Sequence, residues 1–272
     1  MMSIRASLGL ALTNLPMPYL DLNSERIYYA LYRGELISTE PIVLIHGAGE
    51  SHLVWPAGLR RLPDSTVYAV DLPGHGKSAG AGRSSVTEYA AWVAAFLETL
   101  RVKHTILIGH SMGGAIAQLF GLMHPDQAAG LVLIGTGAKL RVAPRILELT
   151  QNDLPAAADL ISQYQWGPHV PEQIIRLGKQ QLLANRNEVI YGDYRACDAF
   201  DVIDRLSALK APTLIISGTA DQLTPPKYAA FMAEKIPNAR LVSVPDAGHM
   251  VMLEAEALVT REVESFVHEL KK

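Results

Sequence analysis

Short, uninterrupted apolar runs recur along the chain, separated by turns and by stretches whose apolar positions fall at helical spacing. PIVLIH (41–46), TVYAVD (66–71), HTILIGH (104–110), GLVLIG (130–135), PTLIISG (212–218) and ARLVSV (239–244) are rich in Val, Ile and Leu. Runs without polar alternation suit parallel strands covered on both faces. The clearest helical pattern is SSVTEYAAWVAAFLETL (84–100), where Val86, Tyr89, Val93, Phe96, Leu97 and Leu100 line one face and Ser85 with Glu88 has capping-box spacing. RIYYALYRG (26–34) alternates instead and ends on glycine, which predicts an antiparallel edge region. The strand–helix alternation predicts an α/β fold, a doubly wound, mostly parallel sheet.

Residues 138–207 break the rhythm with a series of helix-like segments and no strand between GLVLIG and PTLIISG. They are read as a helical cap inserted into a core built from 1–137 and 208–272. Within the cap, Arg141, Arg145, Tyr164, Trp166, His169 and Phe200 either line a pocket or serve as ordinary surface and packing residues. No repeat of solenoid or propeller period is present.

Composition narrows the function. With 49% hydrophobic and 19% charged residues the chain reads as globular, one domain with a large insertion. A net charge of -3 offers no basic stripe to follow a phosphate backbone, so the expected partner is a small molecule and not a nucleic acid. The single cysteine, Cys197, has no partner for a disulfide or a zinc motif, which fits a reducing, cytoplasmic setting. The start, MMSIRASLGLALTNLPMP, carries one arginine and a short apolar run, Ala6 to Leu12, and vaguely resembles a signal peptide; with a thin basic region and no small-x-small cleavage site after it, none is expected. No run reaches the roughly 18 apolar residues of a membrane span.

The chemistry-bearing residues fall at the carboxyl ends of the expected strands, where ligands sit in open α/β sheets. Gly109-His110-Ser111-Met112-Gly113 follows a strand and opens an amphipathic helix running to about His124, with Pro125 beyond it. Ser111 is either a helix cap or a nucleophile held on a sharp turn. A serine hydroxyl needs a base, and the base an orienting acid. GTADQ (218–222) and PDAGH (245–249) supply Asp221 and His249 after later strands; Asp246 is a rival acid, and His46, His75 and His110 are rival bases. DLPGHGKS (71–78) contains GKS, but a phosphate-binding loop requires glycine where Asp71 stands. Met112, Met123, Met232, Met250 and Met252 are read as core or pocket filling.

HGAG (46–49), DLPGHGKS (71–78), GHSMGG (109–114), GTADQLTPP (218–226) and DAGHM (246–250), in this order, resemble the α/β-hydrolase superfamily over nearly the whole chain. The resemblance implies that Ser111 is the nucleophile on its strand-to-helix elbow, His249 the general base and Asp221 its orienting acid. Asp246 then shapes a loop, and His46, His75 and His110 are structural. The oxyanion hole would be the backbone amides of Ala48 and Met112, with Gly47 and Gly49 allowing close approach. Gly47, Gly49, His110, Trp166 and Met250 are further candidates for substrate contact. Glu50 departs from the small residue common in relatives; it either points to solvent, the expected case, or brings negative charge to the pocket. No metal or cofactor is expected.

Such a site implies acyl transfer with water as acceptor, most simply hydrolysis of small to medium, largely apolar carboxylic esters. Carbon–carbon hydrolysis of ring-cleavage diketones is an alternative, although those enzymes usually carry HGxGPG where this chain reads HGAGES. Lactonase and perhydrolase activities reuse the same chemistry, and a ligand receptor on the hydrolase fold is the non-enzymatic alternative.

Overall fold

A computed structural model of the chain describes residues 18–34 and 40–271. The apolar segment at the start, Ala6 to Leu12, lies outside the described residues. Eight strands form one sheet: β1 (Tyr19–Leu22), β2 (Glu25–Arg33), β3 (Ile42–Ile45), β4 (Thr66–Val70), β5 (Thr105–His110), β6 (Ala128–Ile134), β7 (Thr213–Gly218) and β8 (Ala239–Val244), in the spatial order β1-β2-β4-β3-β5-β6-β7-β8. β1 and β2 pair antiparallel, as do β2 and β4; the other neighbours are parallel. The six apolar runs are all strands, and 26–34 is the expected antiparallel region. The sheet continues one strand further, because Asn23 and Ser24, both at positive φ, turn β1 back onto β2.

The helices are α1 (Ala57–Arg60), α2 (Val86–Thr99), α3 (Met112–Met123), α4 (Pro144–Asn152), α5 (Leu154–Gln165), α6 (Glu172–Leu183), α7 (Asn187–Ala199), α8 (Pro226–Lys235), α9 (Val251–Glu254) and α10 (Glu256–Leu270). Successive residues of a strand face opposite sides of the sheet. Val43, Ile45, Leu107, Leu131, Leu133 and Ile215 point into a core with α2, α3 and α8, and Ile42, Leu44, Ile106, Ile108, Val132 and Ile134 into a second core with α1 and α10. Two apolar faces explain the unbroken runs; each such side chain contributes about 1.5–3 kcal/mol relative to exposure. At the start of α2 the Ser85 hydroxyl accepts from the Thr87 amide at 3.1 Å, two residues on, in place of a bond to Glu88.

Between β6 and β7 the chain runs through α4 to α7 and a 3-10 turn, Ile203–Ala208. Its two ends are pinched together: Val202 N–H donates to the Ala138 carbonyl at 2.8 Å, and Lys139 pairs with Asp201 at 2.6 Å. Ile146, Leu149, Leu154, Ala157, Ala158 and Ile161 give these helices a small core of their own. Of the methionines, Met112, Met232, Met250 and Met252 are buried, but Met123 is 42% exposed at the end of α3, where the helix face turns away from the sheet. No described helix is long and apolar enough to cross a membrane.

Candidate active site

Ser111 joins β5 directly to α3 with φ 51° and ψ −114°, a region that side-chain-bearing residues avoid. Such strain is held by packing on both sides of the turn. A Cβ on Gly109 would strike the Gly113 carbonyl, and one on Gly113 the Ile45 carbonyl of β3, so only glycine lets the turn close. The Ser111 amide donates to the Ile134 carbonyl at 2.9 Å, and the Ser111 carbonyl accepts from Thr136 Oγ1 at 2.8 Å. Its side chain makes no capping bond to α3, which removes the helix-cap reading and leaves the hydroxyl open to a cavity.

Asp221 lies after β7 and His249 after β8, each at a carboxyl end of the sheet. His249 Nδ1 and Asp221 Oδ2 are 2.9 Å apart. Asp221 also accepts from the amides of Leu223 and Thr224 at 2.9 and 2.8 Å, and from the Thr224 hydroxyl at 2.7 Å. Burial favours its neutral form, yet the His249 charge and these bonds outweigh burial and hold its pKa below the ordinary carboxylate value. Burial likewise opposes a charged His249, but Asp221, with Glu50 and Glu254 behind it, raises the imidazole pKa above its ordinary value. The Nδ1 proton is thereby assigned to the Asp221 side, leaving Nε2 free to accept. Asp246 stands at φ 58° with its amide on Thr219 Oγ1 at 2.8 Å, so it shapes the loop before His249 as expected.

The loop after β3 runs beside this pair. Among the described residues, the amides of Ala48 and Met112 donate to no protein acceptor, whereas the Gly49 amide is occupied by Asp193 Oδ2 at 2.9 Å. Glu50 does not point to solvent. It turns inward because two donors await it: the Gly47 amide, 2.6 Å from Oε2, and His110 Nδ1, 3.0 Å from the same oxygen. Burial would raise its pKa, but the His110 charge and bond, with the Gly47 amide, outweigh that and lower it.

The rival bases are all engaged elsewhere. His46 donates from Nδ1 to the Gly47 carbonyl at 2.8 Å and accepts from the Leu72 amide at Nε2, 3.1 Å; burial, then the charge of His75, lowers its pKa to about 4, so it is a neutral strut between the β3 and β4 loops. Asp71, in the GKS-containing loop, accepts from the amides of His52 and Lys77 at 2.7 and 2.8 Å and so closes a turn. His75 Nε2 lies 2.7 Å from Asp193 of α7, which is fully buried and also accepts from the Tyr89 hydroxyl at 2.6 Å. Asp193 is absent from the sequence-derived candidates. It ties the helical insertion to the loops after β3 and β4 and to α2, and nothing in its local sequence marks it.

Two adjoining cavities of about 500 Å³ each lie between the insertion and the sheet and share Ala48, Glu50, Ile161, Gln165 and Tyr194. Ser111 and His249 open into one, with Arg141, Arg145 and Tyr164 at its wall. Gly49, Trp166, His169 and Met250 line the other. Phe200 takes the packing alternative, in the core under α3 and away from both cavities. Gly47 and His110, candidates for substrate contact, line neither cavity. The Gly47 amide is taken by Glu50, and the Gly47 backbone is buried behind that side chain. His110 is fully buried, with Nε2 donating to the His249 carbonyl at 3.1 Å.

A mostly parallel eight-stranded sheet, with its polar residues gathered at the carboxyl edge beneath a helical insertion, defines an α/β hydrolase. The chain belongs to the alpha/beta hydrolase family, which it matches over residues 42–261. It is similar to a thermophilic esterase of known structure, with 33% identity and a TM-score of 0.81 over 93% of this chain and 97% of that one. It is 27% identical over 241 residues to the pimeloyl-acyl-carrier-protein methyl ester esterase of Pectobacterium carotovorum subsp. carotovorum, covering 83% of this chain and 93% of the relative. It is 28% identical over 247 residues to the dihydrolipoyllysine-residue acetyltransferase component of the acetoin cleaving system of Pseudomonas putida, covering 84% of this chain; it spans only 63% of that protein.

Proposed function

We propose that the protein is a serine hydrolase that cleaves carboxylic esters of small to medium, largely apolar substrates through an acyl-serine intermediate. The observation that carries this reading is the 2.9 Å His249–Asp221 bond beside a cavity into which the strained Ser111 also opens. His249 Nε2 takes the Ser111 proton as Oγ bonds to the acyl carbon, and the tetrahedral oxyanion is held by the Ala48 and Met112 amides. Collapse breaks the ester C–O bond, and His249 returns the proton to the departing alcohol. Water then attacks the acyl-serine with His249 again as base, releasing the acid and free Ser111. Asp221 keeps the imidazole tautomer and stabilises its charged form. Residues 138–207 act as a cap, with Leu140, Val142, Ile146 and Leu160 forming an apolar wall of the serine cavity.

Two of the similar proteins, an esterase and a methyl ester esterase, support an ester as the bond cleaved. The test is hydrolysis of a panel of short-chain p-nitrophenyl esters by wild type and Ser111→Ala. Wild type turns over at least one, and Ser111→Ala loses at least about 10³-fold in kcat. An inactive wild type, or a fully active variant, sinks the proposal.

A further inference from the structure

Burying a carboxylate is unfavourable unless donors compensate it, and both donors that hold Glu50 belong to the site itself. Oε2 accepts from the Gly47 amide at 2.6 Å, while the Glu50 amide donates back to the Gly47 carbonyl at 3.3 Å. This closes a turn with Ala48 and Gly49 at its tip. The same Oε2 accepts from His110 Nδ1 at 3.0 Å, and His110 Nε2 donates to the His249 carbonyl at 3.1 Å. Both ring nitrogens of His110 face acceptors. One chain of bonds therefore joins the loop after β3, the end of β5 and the loop after β8, beside the Ala48 amide, Ser111 and His249.

Resting on the reading of Ser111 as nucleophile and the Ala48 amide as oxyanion donor, we infer that Glu50 is a positioning residue. Its carboxylate sets the turn that aims the Ala48 amide and, through His110, fixes that turn against the loop bearing His249. The staple is close-fitting, since a Cβ at position 47 would lie 2.9 Å from Glu50 Oε2. Its charge also bears on the base. His249 is faced by Asp221 from the loop after β7, by Glu254 from α9, by the His110 ring at 4.8 Å and by Glu50. Burial disfavours its charged form, and the three carboxylates together overcome this.

The experiment compares wild type, Glu50→Ala, Glu50→Gln and Ser111→Ala on p-nitrophenyl butyrate, with kcat and KM followed across pH. Glu50→Ala lowers kcat about 10- to 100-fold, less than the 10²- to 10³-fold of deleting an oxyanion donor, and leaves KM within about threefold. Glu50→Gln presents an oxygen to the same two donors without the charge. It recovers most of the lost kcat and moves the acid limb of kcat/KM to lower pH, a shift that a purely structural role would not produce. If Glu50→Ala does not fold, the Glu50→Gln pH profile decides. Normal dependence on Ser111 with an undiminished Glu50→Ala, or an acid limb unmoved in Glu50→Gln, overturns the positioning role alone. An inactive wild type or an active Ser111→Ala overturns the nucleophile reading and the positioning role with it.

Discussion

Asp193 offers a stringent test of how the helical insertion is held to the sheet. Its carboxylate is fully buried and accepts from His75 Nε2 at 2.7 Å, the Gly49 amide at 2.9 Å and the Tyr89 hydroxyl at 2.6 Å. Alanine leaves all three donors facing a dry void. Removing one partner of a buried ion pair costs about 3–5 kcal/mol, and an unmet buried amide adds about 1–3, so Asp193→Ala should destabilise by at least about 4 kcal/mol. Asparagine keeps the shape and one accepting oxygen, and its amide can donate to the Tyr89 oxygen; the expected cost is about 1–3 kcal/mol. The deficit also depends on pH. Burial lowers the His75 pKa, but the Asp193 charge and bond more than reverse this, so its folded value lies above the ordinary 6.5. The pair's stabilisation is thus full below pH 6.5 and fades as pH rises through the folded value, and the Asp193→Ala deficit should shrink on the alkaline side. Urea denaturation of the three proteins at mildly acidic and alkaline pH measures this directly. A deficit under about 1 kcal/mol, or one that grows with pH, refutes the reasoning.

Other outcomes follow from the same geometry. His249 must be neutral to accept a proton and its pKa is raised, so the acid limb of kcat/KM for ester hydrolysis should lie above the ordinary histidine value of 6.5; a limb below it contradicts the assignment of charges around the imidazole. Gly113→Ala drives a methyl group into the Ile45 carbonyl and should cost about 1–3 kcal/mol in urea denaturation; an unchanged midpoint would mean that the turn has slack. Glu254 Oε2 accepts from the Gly248 and Gly167 amides, and its pKa is raised, chiefly by burial. Glu254→Gln keeps an accepting oxygen without the charge and should raise the urea midpoint more at alkaline than at acid pH, the reverse result showing that the charge is well compensated.

What could be read in the sequence was what local pattern encodes. The inner strands stood out because both faces of the sheet are covered, which leaves few polar positions to blur the runs, whereas β8 at the edge keeps Arg240 and Ser243 exposed. β1 is not legible in the sequence, because YLDL is four residues long and mixes polar with apolar. Ser111, Asp221 and His249 were legible because each follows a recognisable strand. Asp193 was not, since its partners lie 104, 118 and 144 residues away and its helix gives no hint that this one acid faces inward. Glu50 reads as solvent-facing in the sequence because the two donors that hold it become neighbours only once β3 and β5 pair.

The central claim is that Ser111 is the nucleophile, and covalent labelling tests it most directly. After treatment with a fluorophosphonate, intact mass and peptide mapping should place one adduct per chain on Ser111, with none in Ser111→Ala and much slower labelling in His249→Ala. An adduct on another residue, or ester turnover that proceeds with Ser111 unlabelled, would contradict the account.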